Sequence, residues 1–106
     1  MSFLPRGTSL GKLEIIEVYE FYDEPILFSC KNESTTFLVV ALVEDIWLYA
    51  GISPTSFQDV RLGQIDLYTA FSTSDSLYQV NTGDIPIAEF ILSIDDNQLP
   101  MKGEYL

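Results

Sequence analysis

At 106 residues the chain has the length of one domain, and with 47% hydrophobic and 13% aromatic residues it is too apolar for intrinsic disorder. Sixteen Asp and Glu against five Lys and Arg give a formal net charge of -11, which speaks against direct binding to nucleic acid or to an anionic membrane surface. The single cysteine, Cys30, rules out an intramolecular disulfide scaffold and points to the cytosol.

Residues 1–11 carry one Arg and no long apolar stretch, so no secretory signal is expected there. The first element is Leu13 to Tyr22, LEIIEVYEFY, whose β-branched and aromatic content suits a half-buried strand. Glu14, Glu17 and Glu20 recur every three residues, a spacing that a helix with a wet face would also show. Strand is the preferred reading and helix stays open. Asp23, Glu24 and Pro25 signal a turn. A second strand over Ile26 to Lys31 and a polar turn through Ser34 lead to the run from Thr35 to Val43. That run is apolar on both faces, as a central strand requires, and is far short of the ~20 residues of a membrane span. Glu44 and Asp45 interrupt it before a fourth strand, Ile46 to Ala50. Short connections make these four strands an antiparallel meander.

From Ser53 the pattern changes. Thr55 and Gln58 have the spacing of a capping box behind Pro54, so a helix is expected to about Leu62, with Gly63 as its left-handed stop. Asp66 caps a second short helix through Phe71. Leu77 to Val80 reads as a strand, Asn81 to Asp84 as a turn, and Ile85 to Ile94 as a strand that Pro86 confines to a sheet edge. Residues 97–106 have no period and are read as a tail, disordered unless it docks. The expectation is one α+β domain over 1–106, an antiparallel meander of four to six strands with two short helices in the middle of the chain.

Three stretches carry a resemblance: FYDEPILFSCKN at 21–32, IWLYAGIS at 46–53 and RLGQIDLYTAF at 61–71. In that order they resemble an uncharacterised family of small bacterial domains over roughly residues 10–80. The resemblance implies no catalytic residue and no cofactor. The third stretch is also explained without function, since Gly63 and Asp66 cap helices and Leu67, Ala70 and Phe71 share an apolar face.

The absence of histidine removes the commonest general base, the Ser-His and Cys-His pairs and most zinc sites. No phosphate-binding glycine loop occurs. The acid pairs Asp23-Glu24, Glu44-Asp45 and Asp95-Asp96 lack calcium-loop spacing and read as solvated turns. No enzyme activity, metal or cofactor is therefore expected, and Cys30 is read as a buried, inert thiol. What remains is a protein-interaction or regulatory domain. Its partner would carry a basic patch facing the densest acidic stretch, Glu14, Glu17, Glu20, Asp23 and Glu24, and a distant acid such as Glu104 is expected to take no part in the contact. Tyr22, Trp47 and Tyr49 are candidate aromatic anchors for that contact, although core filling is the expected use of most aromatics here. The competing reading is an acidic imitator of nucleic acid that occupies a basic channel of a nuclease or similar protein. It requires carboxylates in spaced rows on one face, whereas acids that only confer solubility are scattered.

Overall fold

The computed structural model describes residues 4–5, 7–43, 45–83, 85–92 and 94–106; Glu44 and Asp84, expected in turns, and Ser93, expected in the last strand, lie outside the described residues. Six strands, β1 (Glu14–Tyr22), β2 (Glu24–Lys31), β3 (Thr36–Val43), β4 (Ile46–Ile52), β5 (Ser76–Asn81) and β6 (Ile87–Ile91), form one antiparallel sheet in chain order. Two helices, α1 (Pro54–Arg61) and α2 (Leu67–Ser72), follow β4 and make up the β4–β5 connection. Their expected place in the middle of the chain is thus corrected to a place after the four-strand meander. β6 is shorter than the expected 85–94 and begins just after Pro86, which has no N–H to offer a ladder.

Alternation along the central strands divides the side chains between two cores. On one face Leu27, Leu38, Leu48, Ala50 and Ile52 meet Val60 of α1 and Leu67, Ala70 and Phe71 of α2. On the other, Phe28, Cys30, Phe37, Val39, Trp47, Tyr49 and Val80 pack with Leu10 and Leu13 from the segment before β1. Covering both faces is what makes β3 apolar throughout. Asn32 ties the preceding segment down: its side-chain amide donates to the Leu10 carbonyl at 2.8 Å, and its oxygen accepts from the Ser34 and Thr35 amides at 2.9 and 2.7 Å.

The helix ends are built by local chemistry. The N-cap of α1 is Ser53, whose hydroxyl accepts from the Ser56 amide at 3.1 Å, and not Thr55. Pro54 takes the first helical position, where a missing N–H costs nothing, so the cap falls on the residue before it. At the other end Gly63 has φ +74°, its amide bonds to the Val60 carbonyl and the Gln64 amide to Asp59, which closes the helix as a Schellman motif. Asp66 caps α2 by accepting from the Thr69 amide at 2.8 Å.

Residues 97–106, expected as a tail, lie against α2. Leu99 is buried in the helix-side core, the Glu104 carbonyl accepts from the Leu67 amide at 2.7 Å, and the Gly103 amide donates to the second oxygen of Asp66 at 2.8 Å.

Candidate functional site

β1 positions the acidic stretch, and its geometry departs from a regular strand. Against β2, Glu14 pairs with Lys31, Ile15 with Cys30, Glu17 with Ser29, Val18 with Phe28 and Glu20 with Leu27. The register shifts between Ile15 and Glu17 and again between Val18 and Glu20, so Ile16 and Tyr19 are extra residues, each accommodated as a β-bulge. Without them β1 would read Glu-Ile-Glu-Val-Glu, a strict alternation. The bulges convert a spacing of three into a spacing of two, and Glu14, Glu17 and Glu20 stand opposite Lys31, Ser29 and Leu27 on the helix-side face. Consecutive acids in this row are about 6.6 Å apart along the strand.

Two of the three have cations near them. Glu17 accepts from Arg61, the last residue of α1, at 3.1 Å, and from the Tyr19 hydroxyl at 3.3 Å. Arg61 also lies over the Phe57 ring, 5.6 Å from its centre. Both members of the ion pair are nearly half exposed, so it contributes at most about 1 kcal/mol. Tyr19 shares a 2.9 Å hydrogen bond with the buried Ser29, and burial raises its pKa. Glu14 stands across the ladder from Lys31.

Glu20 belongs to a different environment. It flanks a cleft of about 180 Å³ lined by the buried Leu27, Leu67 and Leu99 together with Val40, and Glu104 flanks the same cleft. Docking of residues 97–106 on α2 brings these two acids to one place. Glu104 was therefore not legible as a site residue: nothing local in the sequence links it to β1.

The remaining expected residues divide. Asp23 sits alone at the tip of the β1–β2 hairpin with φ +61°, a conformation Asp tolerates better than most residues. Tyr22 pairs with Glu24 across that tip and is 76% exposed. A third register shift, between Glu20 and Phe21, makes Ile26 an extra residue of β2, so alternation does not carry from Phe28 to Glu24. Trp47 and Tyr49 are 2% and 0% exposed, and as surface anchors they are corrected to core residues. They belong to a run of edge-on aromatic contacts across the sheet, Trp47–Phe28–Tyr49–Phe37–Tyr78–Phe90, with ring centres 5.6 to 6.4 Å apart. Their conversion to packing follows from the covering of both faces of β4: Leu48, Ala50 and Ile52 lie under α1 and α2, while Trp47 and Tyr49 pack in the core that Leu10 and Leu13 join. The Cys30 thiol, fully buried in this core, has its pKa pushed up to about 12 by desolvation and is a poor nucleophile.

Residues 1–103 match a family of unknown function (DUF6575), and the chain belongs to that family. No curated protein and no solved structure matches the chain. No helix among the described residues is long and apolar enough to cross a membrane.

Proposed function

We propose that this member of the DUF6575 family is a non-enzymatic interaction domain that docks a basic surface of a partner protein on the acidic face of β1 and the adjoining cleft. The observation that carries this reading is the pair of bulges that turns Glu14, Glu17 and Glu20 into one row, with the Glu20 end opening onto a cleft that combines the aliphatic Leu27, Val40, Leu67 and Leu99 with Gln98 and Glu104. Such a cleft suits the aliphatic stem of a lysine or arginine, with the two carboxylates left for its charged end. A cytosolic setting fits the buried, reduced Cys30.

Imitation of nucleic acid draws on the same row and is the second reading. It is weaker because Arg61 already binds Glu17 and Lys31 stands across from Glu14, leaving three carboxylates far short of a continuous anionic strand. The test is affinity capture from the native host, followed by association kinetics for the recovered partner. Reversing Glu20 and Glu104 to Lys should slow association at least tenfold, and raising salt from 0.1 to 1 M should have the same effect, since the screening length falls from about 10 Å to about 3 Å. Glu33→Lys, an exposed acid in the β2–β3 turn, serves as the control. Equal losses from Glu33→Lys, or association indifferent to salt, would show that the acidity only keeps the domain in solution. Competition by duplex DNA for the same partner site would favour the imitation reading.

A further inference from the structure

The sheet ends in two edges of opposite character. β1 carries bulges, a row of acids and an ion pair to α1, the kinds of feature that keep an edge from pairing with another chain. β6, the other edge, has none of them. Its ladder with β5 runs without a register shift from Leu77↔Ile91 to Asn81↔Ile87, and residues 85–92 contain no Lys or Arg. Large apolar side chains there are unusually open: Ile87 is 52% exposed, Phe90 55%, Ile85 76% and Leu92 91%. Among the described residues, the hydrogen bonds made outside strand ladders include none from 85–92, so nothing in the chain is seen to occupy the outer side of β6. The buried aromatic run also surfaces here, where Phe90 meets Tyr78 at 5.6 Å.

We infer that the outer edge of β6 is a strand-addition site for an extended segment of a partner protein, with a lysine or arginine flanked at alternate positions by apolar residues. The alternation of β6 sets that pattern. Ile87, Glu89 and Ile91 share the helix-side face, while Ala88 and Phe90 share the aromatic face. An added strand facing Ile87, Glu89 and Ile91 places apolar, basic and apolar residues opposite them, and Glu89 is the only charge it meets in β6. A second copy of the chain is a poor occupant. Full antiparallel overlap of β6 with its own copy sets Glu89 directly against Glu89, and pairing with a copy's β1 brings up Glu14, Glu17, Glu20 and two bulges. The net charge of -11 on each chain opposes either pairing. This site is separate from the acidic face, and either can fail without the other.

The probe is the capped peptide Thr-Val-Thr-Lys-Thr-Val-Thr, compared with the same peptide carrying Glu in place of Lys, titrated into the full-length chain while backbone amide shifts are followed by NMR. The Lys peptide should shift amides of 85–92 and bind about fivefold or more tightly than the Glu peptide, and Glu89→Lys should reverse that preference. Glu89→Gln, the milder change, should abolish the preference while leaving the location of the shifts unchanged. Shifts confined to β1, shifts nowhere, or a preference that survives Glu89→Lys overturns the proposal. So does concentration-dependent dimerisation that Phe90→Thr removes, which would make a second copy the occupant.

Discussion

Gly63 and Asp66 sit three residues apart and control the turn between the two helices by different means. No atom approaches within 4 Å of where a Gly63 Cβ would stand, so a side chain there meets open space and only the φ of +74° penalises it. Gly63→Val should therefore destabilise the fold by about 2 kcal/mol and Gly63→Asn by about half that, since Asn tolerates the left-handed region. Urea denaturation followed through the buried Trp47 measures both; equal losses would mean that space and not backbone conformation is limiting. Asp66 acts through its charge. Hydrogen bonds from Thr69, first, and from Gly103 hold its pKa below the ordinary 3.8. A carboxyl whose folded pKa is depressed adds stability that is complete above its unfolded pKa and is lost as pH falls through the folded value. Asp66→Ala should accordingly be less stable than the parent at pH 7, with the difference shrinking once pH drops below about 3.8. Thermal melts at pH 7 and below 3 test this, and a difference independent of pH would assign Asp66 a role without its charge. Both residues were legible in the sequence because caps are local. Ser53 was not, because Thr55 and Gln58 imitate a capping box two residues later, and only Pro54 at the first helical position shows where the helix begins.

β1 is the element whose sequence was most ambiguous, and bulges are the reason. Acids three apart, at Glu14, Glu17 and Glu20, fit a helix as well as a strand, and only pairing with β2 reveals that Ile16 and Tyr19 are supernumerary. The same fact makes an unusual deletion tolerable. Removing Ile16 leaves Glu14↔Lys31, Ile15↔Cys30 and Glu17↔Ser29 in a regular ladder, with every neighbour on its present face. Removing Val39 from β3, whose pairing with β2 is regular, slips one half of that strand by one residue and turns its apolar set over. Deletion of Ile16 should cost no more than about 1 kcal/mol, whereas deletion of Val39 should leave the chain unfolded by circular dichroism. Unfolding on loss of Ile16 would show that β1 does not hold this register. The central strands β2 to β4 were legible because their β-branched and aromatic runs end at turns. Trp47 and Tyr49 were ambiguous only in destination, since bulky aromatics serve cores and interfaces alike and burial depends on the neighbouring strands.

At the scale of the whole molecule the charge dominates. Long-range placements such as Glu104 beside Glu20 were not readable, because they depend on where residues 97–106 dock, yet their electrostatic consequence follows from composition. The ion pair between Arg61 and Glu17 is the one found among the described residues, is nearly half exposed, and offsets little of the repulsion expected from sixteen acids against five bases. Salt weakens both attraction and repulsion between exposed charges, so the sign of its effect reports which is larger. Repulsion should win here. Raising sodium chloride from 0.05 to 0.5 M at pH 7 should increase Tm by roughly 4 °C, the shift that corresponds to about 1 kcal/mol in a domain of this size. Reversing the exposed Glu33 and Glu89 to Lys adds two charge units each and takes the formal charge from -11 to -7, so the gain on adding salt should shrink in that variant while its low-salt Tm rises. Differential scanning calorimetry of both chains at the two salt concentrations decides the matter. A Tm that falls with salt would mean that the acids are held in favourable pairs and that the surface is organised around its few cations. A rise undiminished by the double reversal would trace the salt effect to something other than net charge.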